Sequence, residues 1–327
     1  MAKIDSNKAI QACSEAANEY TQAPRFAFQL GRAFAAAGKY GDALPWYRKA
    51  ADQGYASALN NLGSMYSQGR GGLTKDDKEA VRLYRLAADQ GIAPAQANLG
   101  SMYSQGRGGL AKNDNEAVRL YRLAADQGSA FAQSNLGFMY ENGRGGLTKD
   151  DKEALRLYRL GVDQGVASAQ AKLGFMYEQG RGLAKDEKEA VRLYRLAADQ
   201  GNAHGQSNLG VMYANGRGGL AKNDNEAVRL YRLAADQGNA FAQSHLGFMY
   251  ANGRGGLTKD DKEAVRLYRL AADQGNARGQ SHLGFMYEHG RGGLAKDNYA
   301  ALRLYRLAAA QGNEFALKAV ERLTRSR

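Results

Sequence analysis

A glycine-rich segment that recurs along the chain has the residue types of a phosphate-binding loop. Its copy at residues 69–76 reads GRGGLTKD. A phosphate loop follows a β-strand and ends in Gly-Lys-Ser/Thr, because its backbone amides and lysine must surround the phosphates. This segment lacks that ending, and no strand pattern precedes it. Its glycines are better suited to supply positive φ angles between two helices, so neither a nucleotide nor another cofactor is predicted.

The four histidines are the residues that most suggest a metal site. They are His204, His245, His282 and His289. His282 and His289 lie two helical turns apart, which is roughly 10 Å at a rise of about 1.5 Å per residue. No group of carboxylates or thiolates stands beside them to complete a ligand set. We therefore expect isolated surface histidines that form hydrogen bonds, and no metal.

Catalytic groups do not form a distinct set in the sequence either. No Ser-His-Asp, Cys-His or paired-carboxylate arrangement stands apart from the repeating letters. A residue copied into every repeat is a poor candidate for a single catalytic centre. The one cysteine, Cys13, excludes an internal disulfide and a thiolate zinc site. We expect a protein that is not an enzyme.

The period of the sequence indicates which elements must position these residues. The glycine of the triplet DQG recurs at a spacing of 37 residues, with one spacing of 36. Its positions are Gly54, Gly91, Gly128, Gly165, Gly201, Gly238, Gly275 and Gly312. A period of this length predicts a repeat of two helices.

Each repeat contains two helical patterns. Helix A has an apolar stripe, exemplified by Ala242, Leu246 and Met249, with Asn239 as the expected N-cap and Gly253 as the expected stop. Helix B is the segment EAVRLYRLAADQG, preceded by polar capping residues such as TKDD and ended by a left-handed glycine. Because neither helix buries its stripe alone, the pairs must stack on their neighbours as a solenoid.

The repeat AxAQxxLGxMYxxGRGG, followed by DxxEAVRLYRLAADQG, resembles the Sel1-like repeat, a relative of the tetratricopeptide repeat. The match covers residues 54–312 in seven successive copies, and the first pair, residues 28–54, looks more like a tetratricopeptide unit. The resemblance implies a right-handed α/α superhelix with A helices along its concave side, and an adaptor or scaffold role in protein complexes. The cysteine pairs of the disulfide-bonded members are missing, which argues against a secreted, disulfide-locked role.

The predicted organisation is one all-α solenoid over the whole chain. It comprises an N-terminal helix and lead-in at 1–24, a tetratricopeptide-like pair at 25–54, seven Sel1-like repeats at 55–312 and a C-terminal capping helix at 313–327. No segment approaches the roughly 18 consecutive apolar residues of a membrane span. Because the chain also begins without an apolar signal segment, we expect a cytoplasmic protein that is a monomer on its own.

Comparison of the seven repeats with one another separates a constant core from a variable face. Counted from each DQG glycine, helix A keeps Ala, Leu, Gly, Met and Tyr at positions 2, 8, 9, 11 and 12, whereas positions 3, 7, 10 and 14 vary. The varying positions follow the spacing of a single helical face. We call this face the variable stripe.

The variable stripe carries the candidate partner-binding residues. It holds all four histidines and six of the ten phenylalanines, together with amide side chains that donate and accept hydrogen bonds. The candidates are Phe131, Asn135, Phe138, Asn142, Lys172, Phe175, His204, Asn208, Phe241, His245, Phe248, Asn252, Arg278, His282, Phe285 and His289. Aromatic anchors beside amides suit the capture of a protein segment. The favoured function is a non-catalytic scaffold or adaptor that binds a protein or peptide partner along the A-helix face.

Two other interpretations stay open. The stripe can be unconstrained, with Phe138, Phe175, Phe248 and Phe285 packed sideways between neighbouring A helices. The repeats can also be a regulatory or targeting module of a larger enzyme, since the family's repeats occur beside other domains, including bacterial caspase-like peptidases. Sequence upstream of Met1 would distinguish a module from a separate protein.

The net charge of +12 raises nucleic acid as another class of partner, because basic solenoids can bind phosphates. Much of the charge comes from Arg82 and Arg85 of helix B, from Arg70 of the loop and from their copies, interleaved with acidic residues. Arg85 and Asp89 have the spacing of an i, i+4 ion pair. We interpret this as a solvated, mixed-charge face and do not expect nucleic-acid binding.

Overall fold

The computed structural model describes residues 6–325, which form eighteen α-helices and no β-strand. The helices are α1 (Ser6–Glu19), α2 (Pro24–Ala36), α3 (Tyr40–Asp52), α4 (Ala56–Gln68), α5 (Asp77–Ala88), α6 (Ala93–Gln105), α7 (Asp114–Asp126), α8 (Ala130–Asn142), α9 (Asp151–Asp163), α10 (Ala167–Gln179), α11 (Glu187–Asp199), α12 (Ala203–Asn215), α13 (Asp224–Asp236), α14 (Ala240–Asn252), α15 (Asp261–Asp273), α16 (Ala277–His289), α17 (Asn298–Ala309) and α18 (Glu314–Arg325). From α2 onward, even numbers are A helices and odd numbers are B helices. The all-α prediction is confirmed.

The chain divides into two units, and the boundary falls inside α9. Unit 1 ends at Gly161 and unit 2 begins at Val162. In each unit an A helix packs against the B helix that follows it, and that B helix packs against the next A helix. In unit 2 the A helices of neighbouring repeats also touch, as α10 does with α12 and α14 with α16. Each unit is therefore a stack of helix pairs, which is the solenoid arrangement that the period predicted.

Side-chain caps and glycines fix the ends of the helices. At the start of α14, Asn239 Oδ1 accepts a hydrogen bond of 2.8 Å from a first-turn backbone amide, and Asp260 caps α15 in the same way. The helix α14 ends at Gly253, whose φ of 61° is left-handed. Gly255 of the following loop has a φ of 65°. The glycine-rich segment is thus a connector between two helices, as predicted.

The core consists of the residues at the constant positions of the repeat. In α14, Ala242 is fully buried, while Leu246 and Met249 are 5% and 2% exposed. The tyrosine of the next B helix, Tyr268, is 2% exposed and belongs to the adjoining core cluster. Because these letters recur in every repeat, the core is continuous within each unit and each repeat depends on its neighbours for burial.

Ion pairs between a loop and the preceding B helix connect neighbouring repeats. In unit 1, Arg144 Nε and Nη2 each lie 2.8 Å from a carboxylate oxygen of Asp114, thirty residues earlier. In unit 2, Arg254 holds Asp224 with the same two nitrogens. The sequence placed the loop arginines on a solvated mixed-charge face, and that interpretation is wrong for these residues. They are half-buried and brace one repeat against the next.

Candidate partner-binding groove

The variable stripe lies on the accessible side of the A helices in both units. Its members on α8, which are Phe131, Asn135, Phe138 and Asn142, belong to unit 1. Its members on α10, α12, α14 and α16 belong to unit 2. In these helices the third and fourteenth positions are exposed, while the seventh and tenth positions are half-buried. The stripe is therefore a face with an exposed rim and a recessed middle.

In unit 2 the recessed middle of the stripe opens into a first pocket of about 440 Å³. Lys172 and Phe175 of α10 form one wall, His204 and Asn208 of α12 form the other, and Phe241 of α14 closes one end. Asn208 forms no side-chain hydrogen bond with any described residue. Its amide is consequently available to a ligand, and the aromatic rings offer apolar surface beside it.

A second pocket of about 220 Å³ lies between α12 and α16. Phe241 and Phe248 of α14 line it, together with His245 on the same helix and Arg278 on α16. Tyr231 of the B helix α13 also belongs to its lining. Since Phe241 lines both the first and the second pocket, the two are neighbours along the same face.

A third pocket of about 260 Å³ continues the series toward the C-terminal helices. Phe248 and Asn252 of α14 line it together with His282 and Phe285 of α16, and Phe315 of α18 stands at its edge. Phe248 is shared with the second pocket. We use the name partner groove for these three pockets of unit 2, which are lined by successive phenylalanines of the variable stripe.

The half-buried phenylalanines of the stripe have packing roles as well as accessible surface. Phe175, Phe248 and Phe285 lie against the buried core clusters beneath them. Phe285 also approaches the ring of Phe315, with centroids 6.3 Å apart. By contrast, Phe131 and Phe241 are 46% and 38% exposed. The phenylalanines at the tenth position thus both pack against the core and line the groove. Those at the third position project into solvent.

His245 and His282 are not the isolated surface residues that the sequence predicted. The ring of His245 stacks on Tyr231 at 5.1 Å and lies 4.4 Å from Phe241. Arg278 Nη1 lies 2.8 Å from His245 Nε2. Burial, followed by the charges of Arg278 and His282, lowers the pKa of His245 to about 3. This imidazole is neutral at physiological pH and serves as part of an aromatic wall.

His282 has a similar environment one repeat further along. Its ring lies 5.0 Å from Tyr268 and 6.0 Å from Phe248. Burial, followed by the charge of Arg278, lowers the pKa of His282 to about 4. His204 is exposed at the rim, although the protein around it also lowers its pKa through burial and then Lys172. His289 is exposed and hydrogen-bonded to the carbonyl of Phe285.

Several asparagines of the stripe use part of their hydrogen-bonding capacity inside their own helix. Asn252 Nδ2 donates to the Phe248 carbonyl at 2.7 Å, and Asn135 and Asn142 make the same contact one turn back. Their side-chain oxygens keep acceptor capacity, but one of the two N–H donors of each amide is engaged. The stripe therefore offers fewer free amide donors than its letters indicated.

The arginines of the B helices are paired differently from the sequence expectation. Arg85 does not pair with Asp89, because its Nη2 donates instead to the hydroxyl of Tyr103 in the next repeat at 3.2 Å. Arg82 forms a two-point pair with Glu79, three residues earlier, at 2.7 and 2.9 Å. The charge of Arg82 is thus balanced within its own helix, whereas Arg85 has a neutral hydrogen-bond partner.

Residues 6–325 contain neither a cluster of metal ligands nor a membrane-spanning helix. No group of three or more His, Cys, Asp or Glu side chains is arranged to hold a metal ion there. No helix in that range has both the length and the apolar character required to cross a bilayer.

Sequence reasoning missed residues that line the pockets but belong to the constant letters. Tyr231 and Arg254 line the second pocket, and Tyr268 and Arg291 line the third. Because these letters recur in every repeat, a comparison of varying positions passes over them. A usable signal was present at position 13 of helix A, which is Glu in α8, α10 and α16, Ser in α4 and α6, and Ala in α12 and α14.

The Sel1 repeat family matches the chain in consecutive segments. They are residues 40–55, 56–92, 93–129, 130–166, 167–202, 203–239, 240–276 and 277–313. The chain belongs to the Sel1 repeat family. The resemblance seen in the sequence is confirmed, and the spacing of the matched segments follows the observed helix pairs.

Solved structures of Sel1 repeat proteins share the fold. The protein c5321, a protective antigen present in uropathogenic Escherichia coli strains that displays an SLR fold, is 32% identical with a TM-score of 0.56. The match covers 95% of this chain and 66% of that chain, so this Sel1 repeat chain spans about two thirds of that protein's length. A Sel1 repeat protein from Oxalobacter formigenes is 31% identical with a TM-score of 0.60, over 76% of this chain and 96% of that chain.

More distant similarity extends to a human protein. The human IFIT1 dimer with PPP-AAAA is 14% identical with a TM-score of 0.53, over 98% of this chain and 77% of that chain. At that identity the similarity concerns the fold alone. None of the curated proteins matches the chain significantly.

Proposed function

We propose that this Sel1 repeat protein is a non-catalytic scaffold that binds a segment of a partner protein in the partner groove of unit 2. The observation that carries the proposal is the series of three pockets that share Phe241 and Phe248 as common walls. Sel1-like and tetratricopeptide-like repeats generally mediate protein–protein interaction. The groove supports the proposal that one face of this chain has that general role.

The spacing of the pockets suits a protein segment. In unit 2 the A helix α10 touches α12, and α14 touches α16. Packed helices lie about 8–10 Å apart. A peptide in the polyproline II conformation advances about 3.1 Å per residue and has three residues per turn, so every third side chain faces the groove and meets a new pocket. Anchoring side chains in such pockets commonly contribute about 2 kcal/mol or more each. Because the lining residues differ from pocket to pocket, they would also fix the register of the bound segment.

The polar groups of the repeat favour a structural role over a catalytic one. Loop arginines such as Arg144 and Arg254 are held by aspartates of the preceding B helix. Arginines of the B helices such as Arg82 are held by glutamates of their own helix. These pairs recur with the repeat period, as expected for groups that join and solubilise repeats. The same pairing supports a protein partner over nucleic acid, since phosphate binding requires cations that are free to neutralise the backbone.

The test compares two double variants that each remove two large side chains from unit 2. Phe241→Ala with Phe248→Ala alters the walls of the partner groove, whereas Arg266→Ala with Arg269→Ala alters the exposed B-helix face. Partners captured by the wild-type chain are identified by mass spectrometry, and their affinities for all three proteins are then measured by calorimetry. Thermal unfolding first establishes that both variants are folded.

We expect the phenylalanine pair to weaken partner binding about thirtyfold or more, which corresponds to about 2 kcal/mol. The arginine pair should change binding much less, because Arg266 is exposed and already paired with Glu263. The proposal is wrong if the arginine pair abolishes binding while the phenylalanine pair binds as the wild type does.

A further inference from the structure

The A helix α10 contains an internal carboxylate site that shows what the groove can bind. Tyr194 Oη donates a hydrogen bond of 2.7 Å to one carboxylate oxygen of Glu178. Arg217 Nη1 donates a hydrogen bond of 2.8 Å to the other oxygen. Near the C-terminal end of unit 2, Glu288 is held in the same manner by the hydroxyl of Tyr305 at 2.9 Å and by the guanidinium of Arg322. A tyrosine and an arginine thus form a two-point carboxylate clamp.

In the two repeats between these sites the glutamate is missing. Position 13 of helix A is Ala214 in α12 and Ala251 in α14. Ala214 lines the second pocket beside Tyr231 and Arg254. Ala251 lines the third pocket beside Tyr268 and Arg291, so both pockets contain the clamp without its carboxylate.

The arginines of the two pockets, Arg254 and Arg291, each present a nitrogen that no described residue accepts from. Arg217 holds Glu187 with Nε and Nη2 and uses Nη1 for Glu178. Arg254 uses the same Nε and Nη2 for Asp224, at 2.9 and 2.7 Å. Its Nη1 has no hydrogen-bond acceptor among residues 6–325. The ion pair within the repeat stack therefore fixes this guanidinium and leaves its Nη1 without an acceptor among residues 6–325.

The same arrangement recurs in the third pocket. Arg291 holds Asp261 through Nε at 2.9 Å and through Nη2 at 2.7 Å. Its Nη1 likewise has no acceptor within the described part of the chain. The ion pair orients the guanidinium before any ligand binds, which reduces the entropy cost of binding.

The tyrosines of the two pockets are nearly buried, and their hydroxyls have no hydrogen-bond partner among the described residues. Tyr231 is 1% exposed and Tyr268 is 2% exposed. Neither hydroxyl forms a hydrogen bond with any residue that the structure describes, although neither oxygen is sealed from solvent. In the sites of α10 and α16, the equivalent hydroxyls donate to Glu178 and Glu288. A buried polar group without a partner favours a ligand that supplies one.

The charge of the two pockets selects an anion. No Asp or Glu is among the described residues that line them. Arg278, on the rim of the second pocket, contacts His245 and forms no ion pair within residues 6–325. The neighbouring B-helix arginines, by comparison, are paired with glutamates. Arg254 and Arg291 are each paired with an aspartate, so Arg278 supplies the positive charge at the second pocket that no carboxylate among the described residues balances.

We infer that the second and third pockets each bind a side-chain carboxylate of an acidic partner segment, in the place that Glu178 and Glu288 occupy in their own repeats. The inference rests on the proposed protein-binding function and specifies the chemistry of the partner. Two pockets one repeat apart require two carboxylates, which an Asp- or Glu-containing segment supplies and a single chain terminus does not. At about 8–10 Å between packed helices and about 3.1 Å per residue of a polyproline II segment, which has three residues per turn, two acids on the same face stand three residues apart.

The experiment uses the whole chain and a library of peptides with blocked termini. Two positions three residues apart are both Glu, both Gln or both Lys, and all other positions are random. The pocket variant, Ala214→Glu with Ala251→Glu, places the chain's own carboxylate in both clamps. The control variant, Leu233→Glu with Leu270→Glu, adds the same charge on the exposed B-helix face. Retention on each immobilised protein is measured by mass spectrometry.

A further variant tests the carboxylate sites even if the pocket variant does not fold. Tyr231→Phe with Tyr268→Phe removes only the two hydroxyls and preserves the buried rings. It should retain the wild-type fold and still lose part of the selection for Glu. Thermal unfolding of every variant is recorded beside the binding data.

We expect the wild type and the control variant to retain the Glu set at least tenfold more than the Gln set, and the pocket variant to lose that excess. Equal retention of the Glu and Gln sets, retention of neither, or an unchanged excess in the pocket variant would overturn the carboxylate sites. Pocket-dependent displacement of the Glu set by a single-stranded oligonucleotide would also overturn them, in favour of phosphate. Equal retention that is lost in Phe241→Ala with Phe248→Ala would leave the partner groove supported and the carboxylate clamps disproved.

Discussion

Gly247 of α14 lies directly against the ring of Tyr268 in α15. A Cβ atom added to Gly247 would stand 2.8 Å from Tyr268 Cε1 and 2.9 Å from Cδ1. The tyrosine is only 2% exposed and cannot swing away into solvent. The glycine at position 9 of helix A therefore sets how closely the two helices of a repeat approach.

The substitution Gly247→Ala should destabilise the chain by about 1–2 kcal/mol. Overpacking against a buried ring costs about 1–3 kcal/mol, and the better helix propensity of alanine offsets up to about 1 kcal/mol. The matched control is Gly41→Ala in α3, where an added Cβ meets nothing within 4 Å. That change should leave stability unchanged or raise it slightly. Denaturant unfolding measures the free energies of unfolding of the two variants. Equal values would show that Gly247 is not required for close packing against Tyr268.

A pair of leucine truncations distinguishes the core from the outer face. Leu246 is 5% exposed, so Leu246→Ala should cost about 2–5 kcal/mol through lost burial and the cavity left behind. Leu233 is 42% exposed on a B helix, and Leu233→Ala should cost well under about 1 kcal/mol. Thermal and denaturant unfolding provide the comparison. Similar losses in both variants would contradict the assigned core.

The loop ion pairs should contribute more to stability than the ion pairs along the B helices. Arg144 pairs with Asp114 through two nitrogens, and the two side chains are 29% and 22% exposed. Arg119 pairs with Glu116 on its own helix and is 59% exposed. We expect Arg144→Met to cost about 1 kcal/mol and Arg119→Met less than about 0.5 kcal/mol. An equal effect in unfolding experiments would mean that the loop pair does not brace the repeats.

This pair also has a predictable dependence on pH. The hydrogen-bonded guanidinium of Arg144 holds the pKa of Asp114 below its ordinary value, against the opposing effect of burial. Because the folded pKa is the lower one, the contribution is present above the ordinary carboxyl pKa and is lost as pH falls through the folded pKa. Arg144→Met should raise the pKa of Asp114, which a carboxyl NMR titration measures.

The neutral state of His245 gives a fourth prediction. Burial and the charge of Arg278 lower its pKa to about 3. Its NMR signals should therefore show no titration between about pH 8 and pH 5, where an ordinary histidine titrates. Since the folded pKa lies below the unfolded one, the free energy of unfolding should fall as pH drops from about 6.5 toward 3.

Replacing Arg278 tests the electrostatic part of this shift. Arg278→Met removes the nearby cation while the stacking on Tyr231 and Phe241 remains, so the pKa of His245 should rise but stay below that of an ordinary histidine. A normal titration of His245 in the unaltered chain would show that its ring is open to water and not part of the groove wall.

The sequence by itself determined the repeat, its two helices, their caps and the division between core and stripe. Asn239 and Gly253 act within a few residues of the helix ends that they fix, and the burial of Ala242 and Leu246 follows from helical spacing. Such features depend on contacts between residues that are close in sequence and on the spacing of the repeat. Both are evident from the sequence alone. Repetition also allowed internal comparison, which separated the positions that vary from those that do not.

Only the tertiary structure showed which residues of the constant positions line the pockets. Tyr231 and Arg254 have the same letters as their copies in other repeats, yet they line a pocket because Ala214 replaces the glutamate that would fill the clamp. Likewise, the stacking of His245 on Tyr231 joins residues of successive helices. Pockets and pKa shifts arise where side chains from separate helices converge, and the distances between those helices are set by packing, which no local pattern specifies.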